Sequence, residues 1–185
     1  MNTKTPLDAI AQQLLTPDAL VTLSLEDARV VAGYMAVSRI NEGTVIFVAN
    51  QADSPSDYML LVLEGEVLIE TLSSGDSTVV VNVLSAGHLI GEMSVLDGTP
   101  RSANCTAQSA VEVAKLTRSD LERLMEQYPM IAARFLMAIA KRLADRVRLG
   151  NHKLLMLNQV NEAMRLEMEV KSRKRPHRFT TTVAV

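Results

Sequence analysis

The pattern of apolar and polar positions changes twice along the chain. The first 37 residues read as short helices: Thr16-Pro17 offers a cap and a first-turn proline, and Ser24 followed three residues later by Asp27 resembles a capping box. From Asn41 to Leu116 the texture turns to β-branched runs, TVIFVA (44–49), YMLLVLEGEVLIETL (58–72), STVVVNVL (77–84) and AVEVAKL (110–116). Turn signals separate them: Asn41-Glu42-Gly43, a polar stretch at 50–57, Ser74-Gly75-Asp76, Ala86-Gly87 and Asp97-Gly98-Thr99-Pro100. Short strands at such close spacing predict a mainly β fold, an antiparallel jelly-roll barrel over residues 38–128, rather than alternating strand–helix units.

Ser119 and Asp120 are expected to open a helical region, and Pro129 to start a second, much longer helix over 129–170. There the period becomes seven. Leu143, Val147, Gly150, Leu154, Leu157, Asn161, Met164 and Met168 alternate spacings of four and three, the a and d positions of a coiled coil. Val147, Leu154, Asn161 and Met168 occupy a, and one polar Asn at a is a device for fixing register in a parallel two-stranded pair. The expected partner of residues 143–168 is therefore a second copy in parallel, although the stripe could instead pack on the chain's own barrel. Gly150 is the weak point, since a mid-helix glycine costs about 1 kcal/mol and can end a helix.

Composition bounds the function. At 185 residues with 48% hydrophobic and 22% charged residues, the chain has the size of one globular domain plus an appendage, and no apolar run approaches the roughly 20 residues of a membrane span. The N-terminus lacks the pattern of a secretory signal and the single cysteine, Cys105, excludes an internal disulfide; both predict a cytoplasmic protein. Lys171, Arg173, Lys174, Arg175 and Arg178 fall in the last 15 residues, a basic flexible tail (171–185) without an acid; taking those five charges from the net −2 leaves −7 on residues 1–170. An acidic body argues against general or specific DNA binding and confines any nucleic-acid contact to the tail. His88, His152 and His177 are scattered, with no metal-ligand spacing to Cys105, so neither a metal nor a haem cofactor is expected. No nucleophile–base arrangement stands out, which argues against an enzyme.

The chemistry concentrates in residues 91–103, GEMSVLDGTPRSA, after the apolar pair Leu89-Ile90. Arg101 can grip two phosphate oxygens with its planar fork, and the backbone amides of Ser102 and Ala103 can add donors in a small anion-binding nest. A carboxylate beside an anion site suits sugar hydroxyls, so Glu92 is read as their acceptor, with Gly91 letting backbone approach the ligand. The residues alone leave a second reading open, an internal Glu92–Arg101 ion pair.

This segment resembles the phosphate-binding cassette of cyclic nucleotide-binding domains: Gly-Glu, an apolar-small-apolar triplet, a turn, then Arg-Ser-Ala. The likeness covers about residues 20–157, including Gly43 and Glu64-Gly65-Glu66-Val67, and is similar to the bacterial catabolite activator protein family, whose barrel precedes a long dimerising helix. It implies that Glu92 binds the ribose 2′-hydroxyl, that Arg101, Ser102 and the Ala103 amide bind the cyclic phosphate of cAMP or cGMP, that Ile90 and Met93 line the pocket, and that Arg142 orients Glu92. The chain departs from the family twice. Where cAMP-responsive members carry neighbouring hydroxyl residues, counting from Pro129 lands on Arg146 and Val147; Arg146 could donate to guanine O6 and N7, and Asp145 could accept from guanine N1 and N2, so cGMP stays open beside a plain solvated helix face. The 17 residues after Met168 leave no room for a helix-turn-helix. The expected function is a homodimeric cyclic nucleotide receptor signalling through its helix to an unidentified protein; the alternatives are a ligand-free oligomerisation module and a cyclic dinucleotide sensor.

Overall fold

The computed structural model describes residues 6–16, 23–51, 57–72 and 78–173, with side chains for all of these except 72, 78–81 and 169–173. Two short helices come first, α1 (Pro6–Leu14) and α2 (Leu25–Ala32). The helix expected from Thr16-Pro17 lies outside the described residues; Thr16 itself follows α1, donating its hydroxyl to the Gln13 carbonyl at 2.9 Å. Ser24 does cap α2, accepting from the Asp27 N–H at 3.1 Å. The Asp27 carboxylate, only 5% exposed, accepts from Arg134 Nη1 at 2.9 Å through both oxygens, which ties α2 to the long helix.

Eight strands follow, β1 (Ala36–Ile40), β2 (Val45–Phe47), β3 (Tyr58–Glu64), β4 (Val67–Leu72), β5 (Thr78–Leu84), β6 (Leu89–Ile90), β7 (Asn104–Ala107) and β8 (Val111–Thr117), with helix α3 (Glu92–Asp97) between β6 and β7. All pair antiparallel, in two four-stranded sheets ordered β1-β8-β3-β6 and β2-β7-β4-β5. Among the described residues these sheets form a sandwich and do not close into one barrel. The four runs expected from sequence are present as β2, β3 with β4, β5 and β8, although β2 is confined to 45–47 instead of 44–49. Three strands were not anticipated: β1, whose side chains are mostly exposed, and β6 and β7, which are two and four residues long.

Strand β3 explains the unbroken apolar run. Met59, Leu60, Leu61 and Val62 are all buried, and alternate residues serve different cores. Leu60 and Val62 join Phe47, Val67, Ile90, Cys105, Ala107, Val111 and Val113 between the sheets. Met59 and Leu61, alternating with them, point to the opposite face of their sheet.

After β8, helix α4 (Arg118–Gln127) begins earlier than Ser119 and Asp120 suggested. Thr117 is its N-cap, accepting from the Asp120 N–H at 3.1 Å. Helix α5 then starts at Pro129 as expected and runs to Arg173. The chain divides into two compact units after Arg142. In the first, α5 buries Ala132, Phe135, Ala138 and Ile139. In the second, the described residues 143–173 are one helix that passes through Gly150 without a break. None of the described helices is long and apolar enough to cross a membrane.

A Cβ at Gly150 would meet no atom within 4 Å. Since glycine costs about 1 kcal/mol relative to alanine in a helix interior, Gly150→Ala should raise the helix melting midpoint followed by far-UV circular dichroism. A lower midpoint would show that the helix needs a bend or close approach there.

Candidate functional site

The site is a loop that returns on itself. Gly91 leaves β6 at φ 77°, in the left-handed region that favours glycine, and starts α3. Its missing side chain matters as much as its dihedral, because a Cβ there would sit 2.5 Å from Arg101 Nη1 and 2.9 Å from Phe47 Cζ. Helix α3 closes at Gly98, whose N–H donates to the Ser94 carbonyl at 3.0 Å. The expected turn follows: Asp97 Oδ1 accepts from the Thr99 N–H at 2.9 Å and from the Thr99 hydroxyl at 2.8 Å, bonds that hold its carboxyl below the ordinary value. That turn sends Arg101 back toward Gly91.

Arg101 is 2% exposed. Its Nη1 donates to the Gly91 carbonyl at 2.9 Å and its Nη2 to the Tyr58 carbonyl at 2.7 Å. The guanidinium carbon lies 3.8 Å from the centroid of the Phe47 ring and 5.0 Å from that of Tyr58. Burial lowers the pKa of Arg101, an effect opposed by Tyr58, Cys105, Asp57 and Glu92 in that order. A guanidinium stays charged under such a shift, so a cation is held at the inner end of the cassette.

Glu92, at the first turn of α3, is also 2% exposed. Ile90 is buried, Met93 is 39% exposed, Ser102 is exposed and Ala103 half-buried. The structure thus brings Ile90, Gly91, Glu92 and Met93 together with Arg101, Ser102 and Ala103 through the Gly91–Arg101 bond. A carboxylate acceptor, a fixed cation and an exposed serine at 102 form a set suited to a small ligand bearing hydroxyls and an anion. Arg142 is half-buried at the end of the first unit. Asp145 and Arg146 belong to the helical unit that begins at Leu143; Asp145 is exposed and accepts from Arg148 Nη1 at 2.7 Å, and Arg146 is exposed.

Sequence reasoning missed Phe47, Tyr58 and two asparagines that shape the loop. Asn104 Oδ1 accepts from the Ala49 N–H at 2.8 Å, and the Asn50 N–H, at φ 58°, donates to the Arg101 carbonyl at 3.0 Å. A signal for the aromatics existed, because the chain has only three Phe and three Tyr. Cys105 lies in the core between the sheets, where burial pushes its thiol up to about 12 against the lowering effect of Arg101. It is a neutral core side chain at ordinary pH.

Comparison with known proteins identifies the family of the fold. Residues 37–128 match the cyclic nucleotide-binding domain family. The chain is 32% identical over 87 residues to the cyclic AMP receptor protein of Thermus thermophilus, covering 47% of this chain and 40% of that protein. It is 33% identical over 109 residues to the lysophospholipase nte1 of Aspergillus fumigatus, covering 59% of this chain but 7% of that protein. The chain thus spans less than half the length of these relatives. A cyclic nucleotide-binding domain from Methylobacillus flagellatus KT superposes with a TM-score of 0.69 at 27% identity, over 80% of this chain and 82% of that one. The chain belongs, through residues 37–128, to the cyclic nucleotide-binding domain family.

Proposed function

We propose that this protein is a receptor for a cyclic mononucleotide, cAMP or cGMP, with a regulatory rather than catalytic role. The observation that carries the reading is the buried Arg101 guanidinium fastened at 2.9 Å to the carbonyl of Gly91, the residue next in the chain to the buried Glu92. In this reading Glu92 accepts from the ribose 2′-hydroxyl, while Arg101, the Ser102 hydroxyl and amide, and the Ala103 amide hold the cyclic phosphate. Only a ligand that carries both a hydroxyl and an anion at short separation uses both ends. Ligand binding then acts by shifting the population of states read by a partner protein, which requires the nucleotide to bind one state more tightly than the other.

The reading extends to assembly. Val147, Leu154, Leu157, Met164 and Met168 are each more than half exposed on the helix after Leu143. A second copy laid parallel along this stripe would cover them, with Asn161 setting the register.

Replacing Arg101 by Ala removes charge-assisted bonds worth about 1.5 to 3 kcal/mol each, so affinity for cAMP and cGMP in isothermal titration should fall at least tenfold. Unchanged affinity in a folded Arg101→Ala protein would contradict the assignment. For the assembly, Asn161→Ile should keep or strengthen self-association in sedimentation while loosening its stoichiometry. A wild-type protein that is monomeric at tens of micromolar, on the order of a weak coiled-coil dissociation constant, would contradict the pairing.

A further inference from the structure

Arg101 is held by groups of which Tyr58 and Phe47 lie outside the cassette motif. Two carbonyls, those of Gly91 and Tyr58, take Nη1 and Nη2 along the edge of the guanidinium plane. The guanidinium carbon lies over the Phe47 ring, 3.8 Å from its centroid, and Phe47 in turn lies 5.4 Å from the Tyr58 ring. Phe47 is 2% exposed, so the cation–aromatic contact is shielded from water, where such contacts are strongest.

We infer that Phe47 is a positioning residue of the anion site: its ring fixes the plane of Arg101 and thereby sets phosphate affinity without touching the ligand. This rests on the cyclic nucleotide reading above. The physical reason is the chemistry of a buried cation. An aliphatic side chain of similar bulk would fill the same space in the core but would leave the guanidinium face against a surface with no electrostatic attraction for it. The side chain would then lose its single orientation, and binding would have to restore it. Gly91 fits the same device, since a Cβ there would collide with both Phe47 and Arg101 Nη1. Because the cyclic phosphate is common to all such nucleotides, a change at Phe47 should act on every one of them alike, whereas a residue that reads the base would alter their ratio.

The test is isothermal titration of the full chain with cAMP and with cGMP. Phe47→Leu should weaken both by about five- to twentyfold with their ratio unchanged, and Phe47→Tyr, which keeps the aromatic face, should stay within about threefold of wild type. Wild-type affinity in folded Phe47→Leu would overturn the inference, and so would an equal loss in Phe47→Tyr, which would point to packing alone. Arg101→Ala in the same series separates the two levels. Loss there with none in Phe47→Leu removes only the role of Phe47, whereas no loss in either removes the cassette reading itself. Should Phe47→Leu fail to fold, the wild type still decides the matter: a stacked Arg101 gives side-chain N–H proton resonances shifted upfield by the ring current, and unshifted resonances would overturn the inference.

Discussion

Burying a guanidinium costs several kcal/mol unless its N–H groups find acceptors, and the architecture around Arg101 answers that demand. Strand β3 supplies the Tyr58 carbonyl, the end of β6 supplies the Gly91 carbonyl, and β2 supplies the Phe47 face. These three strands belong to both sheets, so the site is assembled only when the sandwich is assembled. Gly91 has the left-handed φ and the bare Cα that this crowding requires, and the Asp97–Thr99 turn brings the chain back in register for Arg101 to reach it. The core and the candidate site are thus one construction.

The same arrangement links the cassette to the helices that follow. Arg118, the first residue of α4, donates through Nη2 to the Ser94 carbonyl of α3 at 2.9 Å, and its own N–H donates to the Asp57 carbonyl next to Tyr58. The start of α4 is therefore bonded both to the cassette helix and to the strand end that holds Arg101.

Much of this was legible in the sequence because it depends on local chemistry. The β-branched runs, the Asp97–Pro100 turn, the Ser24 cap and the proline start of α5 each follow from residues that act over a few positions. The unanticipated parts depend on tertiary context. Leu89-Ile90 is too short to show a period, yet β6 exists because β3 lies beside it to pair with. Residues 92–97 form a helix between left-handed glycines at 91 and 98, an element that the reading of the Asp97–Pro100 turn did not include. Thr117 took the cap expected further on, since β8 continues to that residue before the chain turns. Phe47 looked like one more apolar strand residue, and its role becomes visible only once Arg101 is seen lying on it. The Glu92–Arg101 cassette was read from its resemblance to the family motif, since the residues alone left an internal ion pair open, and the carbonyls that hold the arginine carry no sequence signal at all.

The central claim is that residues 91–103 bind the sugar and cyclic phosphate of a nucleotide. The most direct measurement is a backbone amide nuclear magnetic resonance titration of the labelled protein with cAMP and with cGMP. The account predicts saturable shifts concentrated at Gly91, Glu92, Ser102 and Ala103 for at least one of the two. An unchanged spectrum with both nucleotides, or shifts that leave these four amides in place, would contradict it.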